Sequence, residues 1–116
     1  MPSDSRPAAP PRDLEDLAAA RHPGPVLVIA DSRAIGILAP TWAQWLRQFG
    51  WDHRVRLATE PADRDIEPLL AEARELGARI VIGAGTARAR GRRVAAAAGL
   101  PFVVWDTAGT TGTPVD

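Results

Sequence analysis

Lysine, cysteine and tyrosine are absent from this 116-residue chain, and two of these absences exclude whole classes of chemistry. Without lysine, no side-chain amine can form a Schiff base with a carbonyl substrate. Without cysteine, there is no thiol nucleophile, disulfide or thiolate metal ligand. The two histidines, His22 and His53, lie far apart and lack the spacing of a metal site. We therefore expect neither a metal nor another cofactor.

Charge of one sign is also lacking, because 14 arginines balance 14 acidic residues. A neutral chain is not drawn to nucleic acid or to an anionic membrane by bulk electrostatics, so we expect neither as a partner. No apolar run is long enough to span a membrane, and no signal peptide is recognisable. These observations predict a cytoplasmic protein, and the length allows one domain.

What the sequence does contain is a regular alternation of apolar runs and amphipathic segments. The apolar runs predict strands at residues 26–30, 52–58, 80–82 and 102–105. The amphipathic segments predict helices at residues 38–49, 65–76 and 86–98. Pro40 would then lie in the first turn of the first of these helices, where proline is tolerated.

Four strands that alternate with three helices predict an α/β fold. Right-handed crossovers would give a three-layer sandwich around a parallel four-stranded sheet of order 2-1-3-4, as in flavodoxin-like and Rossmann-like proteins. This domain should span residues 25–106. Residues 1–24 are expected to form a disordered or partly helical extension, with a short helix at 13–21, and residues 107–116 an irregular tail.

The strand order predicts a ligand site where the loops after the first and third strands meet. Asp31, Ser32 and Arg33 follow the first strand, and the turn Gly83-Ala84-Gly85-Thr86 follows the third. Backbone N–H groups at such a turn, with Arg33 and Arg88 beside them, favour an anion such as a phosphate or carboxylate. The alternatives are a solvated loop and glycines that serve close packing.

Two further groups are candidates for this site. Glu60, in the loop that starts at Thr59, and Asp63 could each offer a general base. The alternative is an acidic cluster that stabilises the start of the next helix, and this alternative is preferred for Asp63. One or two arginines of the cluster at 88, 90, 92 and 93 would face the ligand. The other arginines would form a solvated face or a subunit contact.

Several short motifs carry a family resemblance when they are taken in order. They are Ala30-Asp31-Ser32-Arg33-Ala34, Leu46-Arg47-Gln48-Phe49-Gly50, Val55-Arg56-Leu57, Gly83-Ala84-Gly85, Val94-Ala95-Ala96 and Leu100-Pro101-Phe102-Val103. In this order the chain resembles the PurE family, the aminoimidazole ribonucleotide carboxylases and N5-carboxyaminoimidazole ribonucleotide mutases. It resembles a divergent and shortened member, since Ala89 stands where the family has one histidine, and the family's Ser-Ala-His-Arg segment falls near residues 58–61 without its histidine.

The resemblance implies an enzyme, a carboxy-lyase or carboxylate mutase that adds, removes or transfers CO₂ on a small anionic substrate outside housekeeping purine synthesis. Asp31 and Glu60 would carry protons. The substrate would contact Ser32, Arg33, Thr59, Gly83, Ala84, Gly85, Thr86 and Arg88. A homo-oligomer with sites near subunit contacts is implied as well. The alternative is a non-catalytic ligand-binding or assembly subunit of the same fold. An unrelated nucleotide-binding domain is a third hypothesis, although Arg88 replaces the last glycine of a dinucleotide fingerprint.

Overall fold

The computed structural model describes residues 9–58 and 66–105 of the chain. The helices are α1 (Arg12–Ala19), α2 (Ser32–Phe49), α3 (Glu67–Leu76) and α4 (Arg88–Ala98), with a short 3₁₀ helix at Gly85–Ala87. The strands are β1 (Val26–Ala30), β2 (His53–Leu57), β3 (Ile80–Ala84) and β4 (Phe102–Val104). Among the described helices, none combines the length and hydrophobicity that a membrane span requires.

The four strands form one parallel sheet in the order β2-β1-β3-β4, which confirms the predicted topology. The register pairs Ala30, the last residue of β1, with Leu57 on one side and with Ala84 on the other. Every residue of β1 and β3 is buried, because helices cover both faces of the sheet. The carboxyl ends of β1 and β3 therefore lie side by side, where the order of the strands reverses.

Two apolar cores flank the sheet and make the fold a three-layer sandwich. On one face, Leu38, Trp42 and Leu46 of α2 pack on alternate residues of the central strands, and Leu14 of α1 joins the same core. On the other face, α3 and α4 cover the remaining residues of these strands, for example Val81. The alternation follows from the strand period of two, which sends successive side chains to opposite faces.

The start of α2 differs from the prediction. The helix was predicted at residues 38–49, after a loop that follows the first strand, but it begins at Ser32 and contains 18 residues. Pro40 consequently lies inside α2 rather than in its first turn. The helix can begin this early because Asp31 caps it, and the buried Ala34 and Leu38 continue its apolar face toward the sheet.

Smaller differences occur after the third strand. β3 extends to Ala84, two residues beyond the predicted end, and the 3₁₀ helix separates it from α4. The predicted helix at 86–98 therefore begins as α-helix only at Arg88. A left-handed Gly85, with φ of 67°, makes the turn between strand and helix.

Candidate functional site

Asp31 lies at the carboxyl end of β1 and caps the first turn of α2. Its backbone is extended, and its Oδ1 accepts a hydrogen bond of 2.8 Å from the N–H of Ala34. An aspartate in this position accepts a hydrogen bond from one of the free amide groups at the helix start, and its negative charge interacts favourably with the positive end of the helix dipole. One oxygen of the carboxylate is thus committed to α2.

The second oxygen of Asp31 crosses to the loop after β3. Asp31 Oδ2 accepts hydrogen bonds from the backbone N–H of Thr86, at 2.9 Å, and from the Thr86 hydroxyl, at 3.0 Å. The two residues are 55 positions apart in sequence. They meet because β1 and β3 are adjacent in the sheet, as the strand order predicts. We call this set of three hydrogen bonds the Asp31 bridge.

The Asp31 bridge lowers the pKa of this carboxyl group below its usual value of 3.8. The backbone N–H of Thr86 is the largest cause, followed by the N–H of Ala34, and the nearby positive charge of Arg33 acts in the same direction. Hydrogen bonds from donors stabilise the ionised carboxylate. Asp31 is therefore a weaker base at neutral pH than an ordinary aspartate.

Gly85 provides the space that the Asp31 bridge needs. A Cβ built on Gly85 would lie 2.5 Å from the carboxyl atoms of Asp31, and the φ of 67° is itself unfavourable for any residue with a side chain. The backbone turn that was predicted to hold an external anion therefore already holds the protein's own carboxylate. In this respect the site differs from an anion-binding turn whose N–H groups are not occupied by a side chain of the protein.

Gly83 and Ala84 are buried inside β3, and Gly83 serves close packing. A Cβ on Gly83 would lie 2.8 Å from the ring of Phe102 and 3.3 Å from the Arg88 Cα. Gly91 of α4 faces the same ring, with 3.0 Å between its built Cβ and the Phe102 Cε1. The helix approaches the strand closely here because both elements carry glycine.

The exposed groups around the Asp31 bridge are Ser32, Arg33, Thr86 and Arg88. Arg33 stands in the first turn of α2, close enough to lower the pKa of Asp31. Arg88 donates from its Nε to the carbonyl of Gly85, at 3.2 Å. Two arginines and one aspartate leave a net positive charge among these described groups. An anion would therefore meet the guanidinium groups and hydroxyls beside the bridge.

Two of the predicted site residues, Thr59 and Glu60, lie outside the described residues, as does Asp63. Their assignment as a substrate contact and as proton carriers stays a prediction. β2 ends at Leu57, which pairs with Ala30, the residue before Asp31. The carboxyl end of β2 therefore lies at the same edge of the sheet as the Asp31 bridge.

Arg90 differs from the other arginines of α4, because it is 4% exposed while Arg88, Arg92 and Arg93 are exposed. It lies on the same side of the helix as Ala87 and Val94, which face the α3 side of the sheet. Arg90 lies three residues after Ala87 and four before Val94, and this helical spacing is the feature of the sequence that indicates its burial. From the sequence alone, Arg90 was not predicted to differ from Arg88, Arg92 and Arg93.

Neither histidine lies near the Asp31 bridge. His53 begins β2 at the amino edge of the sheet, and partial burial there lowers its pKa. The Nε2 of His22 lies 3.0 Å from the carbonyl oxygen of Arg79, the residue before β3, at the same amino edge. Within the described parts of the chain, no cluster of three or more histidine, aspartate or glutamate residues could hold a metal ion.

Comparison with known proteins adds little to this geometry. No protein-family model matches the chain, and no curated protein matches it. Among solved structures, one similar chain is described as "Crystal structure of DOX-P Reductoisomerase in complex with magnesium". It is 22% identical with a TM-score of 0.27, over 71% of this chain and 20% of that one. This chain thus spans about a fifth of that protein, and a similarity at this score supports no argument about function.

Proposed function

We propose that this chain is a ligand-binding α/β module for small molecules that carry a carboxylate or phosphate group. The ligand would bind at the carboxyl edge of the sheet, between the ends of β1 and β3. The observation that carries the proposal is the Asp31 bridge, in which the Thr86 N–H and hydroxyl already bind a carboxylate. This edge therefore accommodates a carboxylate, and because Asp31 itself takes the Thr86 donors, an external anion would depend on the positive groups beside them.

The bridge also determines which residues would bind an external anion. Since Asp31 occupies the donors of Thr86, the ligand would be held beside the bridge by Arg33, Arg88 and the Ser32 hydroxyl. Guanidinium groups pair with carboxylate or phosphate through two parallel hydrogen bonds, which gives both charge and orientation. Asp31 would then be a positioning residue that fixes the two loops, rather than the proton carrier that the PurE resemblance implies.

Thermal unfolding in the presence of anions tests this proposal. Inorganic phosphate, citrate and succinate would be titrated at constant ionic strength, with chloride as the reference anion. A bound anion raises the midpoint of unfolding with concentration, because it stabilises only the folded state. We expect Arg33→Ala to weaken binding about tenfold, the usual loss of a charge-assisted contact of about 1.4 kcal/mol.

Arg47→Ala is the matched control, since Arg47 is exposed in the last turn of the same helix, at its other end. Its variant should bind each anion as the wild type does. Equal loss of binding in both variants, or no stabilisation by any of the three anions, would contradict the proposal.

A second candidate function is the CO₂ chemistry that the PurE resemblance implies. The Asp31 bridge supports this candidate in one respect. The bridge joins the Asp31-Ser32 segment to the Gly83-Ala84-Gly85 turn, and both segments belong to the motifs that carry the resemblance. In such an enzyme Glu60 would carry the proton, since the pKa of Asp31 is lowered. Donors around the substrate carboxylate would stabilise the charge that develops as CO₂ leaves or adds.

Isotope exchange separates this candidate from simple binding. The protein would be incubated with ¹³C-labelled bicarbonate and each carboxylic acid that stabilises it, and label in the acid would be measured by mass spectrometry. Exchange that disappears in Glu60→Gln but persists in Glu75→Gln supports an enzyme. Stabilisation by an acid without exchange supports the binding module alone.

A further inference from the structure

The two edge strands of the sheet differ in charge. On β2, Arg54 and Arg56 extend from the strand and both bind Glu72 of α3, at 2.6 Å and 3.0 Å. Charged side chains on an edge strand discourage pairing with another chain. On the opposite edge, β4 consists of Phe102, Val103 and Val104 and carries no charge. Within the described parts of the chain, β4 pairs only with β3.

The outer side of β4 presents backbone groups that have no hydrogen-bond partner among residues 9–58 and 66–105. The carbonyl of Pro101 accepts a hydrogen bond from Val81, and the N–H of Trp105 donates to Gly83. In a parallel ladder the residues that bond to one neighbour alternate along the strand. The N–H and C=O groups of Phe102 and Val104 consequently point away from β3. We call these outward-facing backbone groups of Phe102 and Val104 the docking edge.

An acidic groove runs beside this edge. Asp13, Asp16 and Leu17 of α1 line one cavity together with Pro101, Phe102 and Val103. Val103 belongs to the core on the α1 side of the sheet, so the groove lies on that face. Neither aspartate forms an ion pair with another described residue. A strand added to β4 would place every second side chain along these two carboxylates.

We propose that the outer edge of β4 binds an extended, basic segment of another protein by adding a strand to the sheet. The backbone of Phe102 and Val104 would supply the hydrogen bonds, as in other recognition by strand addition. Asp13 and Asp16 would select lysine or arginine on the α1 face. On the opposite face, Phe102 lies under Arg92, whose Cζ is 5.1 Å from the ring centroid, and we expect an apolar side chain of the added segment to lie beside this ring.

A second copy of this chain fits the edge less well. Two β4 strands that pair antiparallel are related by a two-fold axis perpendicular to the sheet. Rotation about that axis does not exchange the two faces of the sheet, so α1 would lie on the same face in both copies. Asp13 and Asp16 would therefore lie next to the same acids of the other copy. Like charges in such positions oppose association. The same two aspartates therefore disfavour self-pairing and favour a basic partner.

A peptide titration tests the proposal on the full chain. The probe is the acetylated, amidated peptide Lys-Val-Lys-Val-Lys-Val-Lys, and the control is the same peptide with glutamate in place of lysine. Amide signals of the ¹⁵N-labelled protein would be followed by NMR. We expect the lysine peptide to shift the amide signals of Phe102 and Val104 and to protect both from hydrogen exchange, with binding that weakens as salt increases. The glutamate peptide should not bind.

Variants separate the backbone contribution from the charge contribution. Val104→Pro removes an outward N–H and should abolish binding, whereas Val104→Ala should preserve it. Asp13→Asn with Asp16→Asn should raise the Kd about three- to tenfold, while Glu75→Gln on the exposed face of α3 should leave it unchanged. The proposal fails if the glutamate peptide binds equally, or if binding survives Val104→Pro. It also fails if the protein alone forms a dimer that Val104→Pro dissociates, because the occupant would then be a second copy.

Discussion

The junctions after β1 and after β3 both connect a buried strand to a helix, but different contacts stabilise them. After β1 the chain passes directly into α2, and Asp31 caps that helix with its own side chain. After β3 the chain needs a left-handed Gly85 and a short 3₁₀ helix before α4, and neither helix start has a cap from its own preceding residue. At the second junction the backbone N–H of Thr86 instead donates to Asp31 of the first junction.

The difference shows that one carboxylate supports two helix starts. The first junction is local, since Asp31 and Ala34 are three residues apart, whereas the second depends on the pairing of β1 with β3. Loss of the Asp31 carboxylate should therefore affect both junctions, whereas loss of a hydrogen-bond donor at the second junction should affect the first junction less. The following variants test this asymmetry.

Gly85→Ala should have the largest effect, because it strains the second junction and displaces Asp31. The added Cβ would meet the Asp31 carboxylate at 2.5 Å in a left-handed backbone. We expect a loss of about 2–3 kcal/mol in the free energy of unfolding, measured by urea denaturation. Gly36→Ala is the control, since a Cβ there meets nothing within 4 Å in an exposed part of α2, and it should stabilise the protein slightly. Equal effects of the two substitutions would contradict the role of Gly85.

Asp31→Ala removes all three hydrogen bonds and should cost about 1–2 kcal/mol of stability. Asp31→Asn should cost less, because asparagine caps helices as well as aspartate does. Hydrogen exchange measured by NMR should show faster exchange of the amides of both Ala34 and Thr86 in the alanine variant. If only Ala34 responded, the Asp31 bridge would not stabilise the second junction.

Acid should remove the advantage that aspartate holds over asparagine at position 31. The folded-state pKa of Asp31 lies below the usual 3.8, so ionised Asp31 contributes stability above that pH. This contribution falls as the pH drops from 3.8 toward the lowered value, because the unfolded state binds a proton there while folded Asp31 is still ionised, and it is lost below the lowered pKa, where both states are protonated. The difference in unfolding free energy between wild type and Asp31→Asn should therefore narrow from pH 6 to pH 3. A constant difference over that range would show that the charge of Asp31 makes no contribution.

Thr86→Val should have the smallest effect, about 0.5–1 kcal/mol, because it removes only the hydroxyl contact and leaves the backbone N–H in place. Thr86→Ser keeps a hydroxyl and should restore most of the loss. The amide of Ala34 should exchange at its wild-type rate in both variants, as the asymmetry between the junctions requires. Faster exchange at Ala34 in Thr86→Val would reverse that asymmetry.

The order of the strands could be predicted because it depends on strong, local signals. Continuous apolar runs such as Val26–Ala30 identify strands that are covered on both faces, and Gly50, Gly77 and Gly99 follow the ends of helices. The start of α2 was not predicted, because Gly36 and Pro40 suggest a loop and a first turn when they are read alone. The capping hydrogen bond of Asp31 and the burial of Ala34 outweigh both signals.

The candidate site was predictable at the level of loops but not of atoms. The strand order brings Asp31 and the Gly83-Ala84-Gly85 turn to one edge, and the structure confirms their adjacency. That the carboxylate itself fills the turn depends on a side-chain direction across 55 residues, which no local pattern encodes. The packing of Gly83 depends likewise on where the ring of Phe102 comes to lie.

The ring of Phe102 also limits the order in which this sequence can change during evolution. Any side chain gained at Gly83 would meet it at 2.8 Å, and any gained at Gly91 would meet it at 3.0 Å. Replacement of the ring by a smaller residue would thus have to come first, as a permissive mutation. In lineages that keep the phenylalanine, both glycine codons should be under purifying selection, whereas in lineages that lose it position 91 should drift more freely than position 83, which the Arg88 Cα also limits at 3.3 Å.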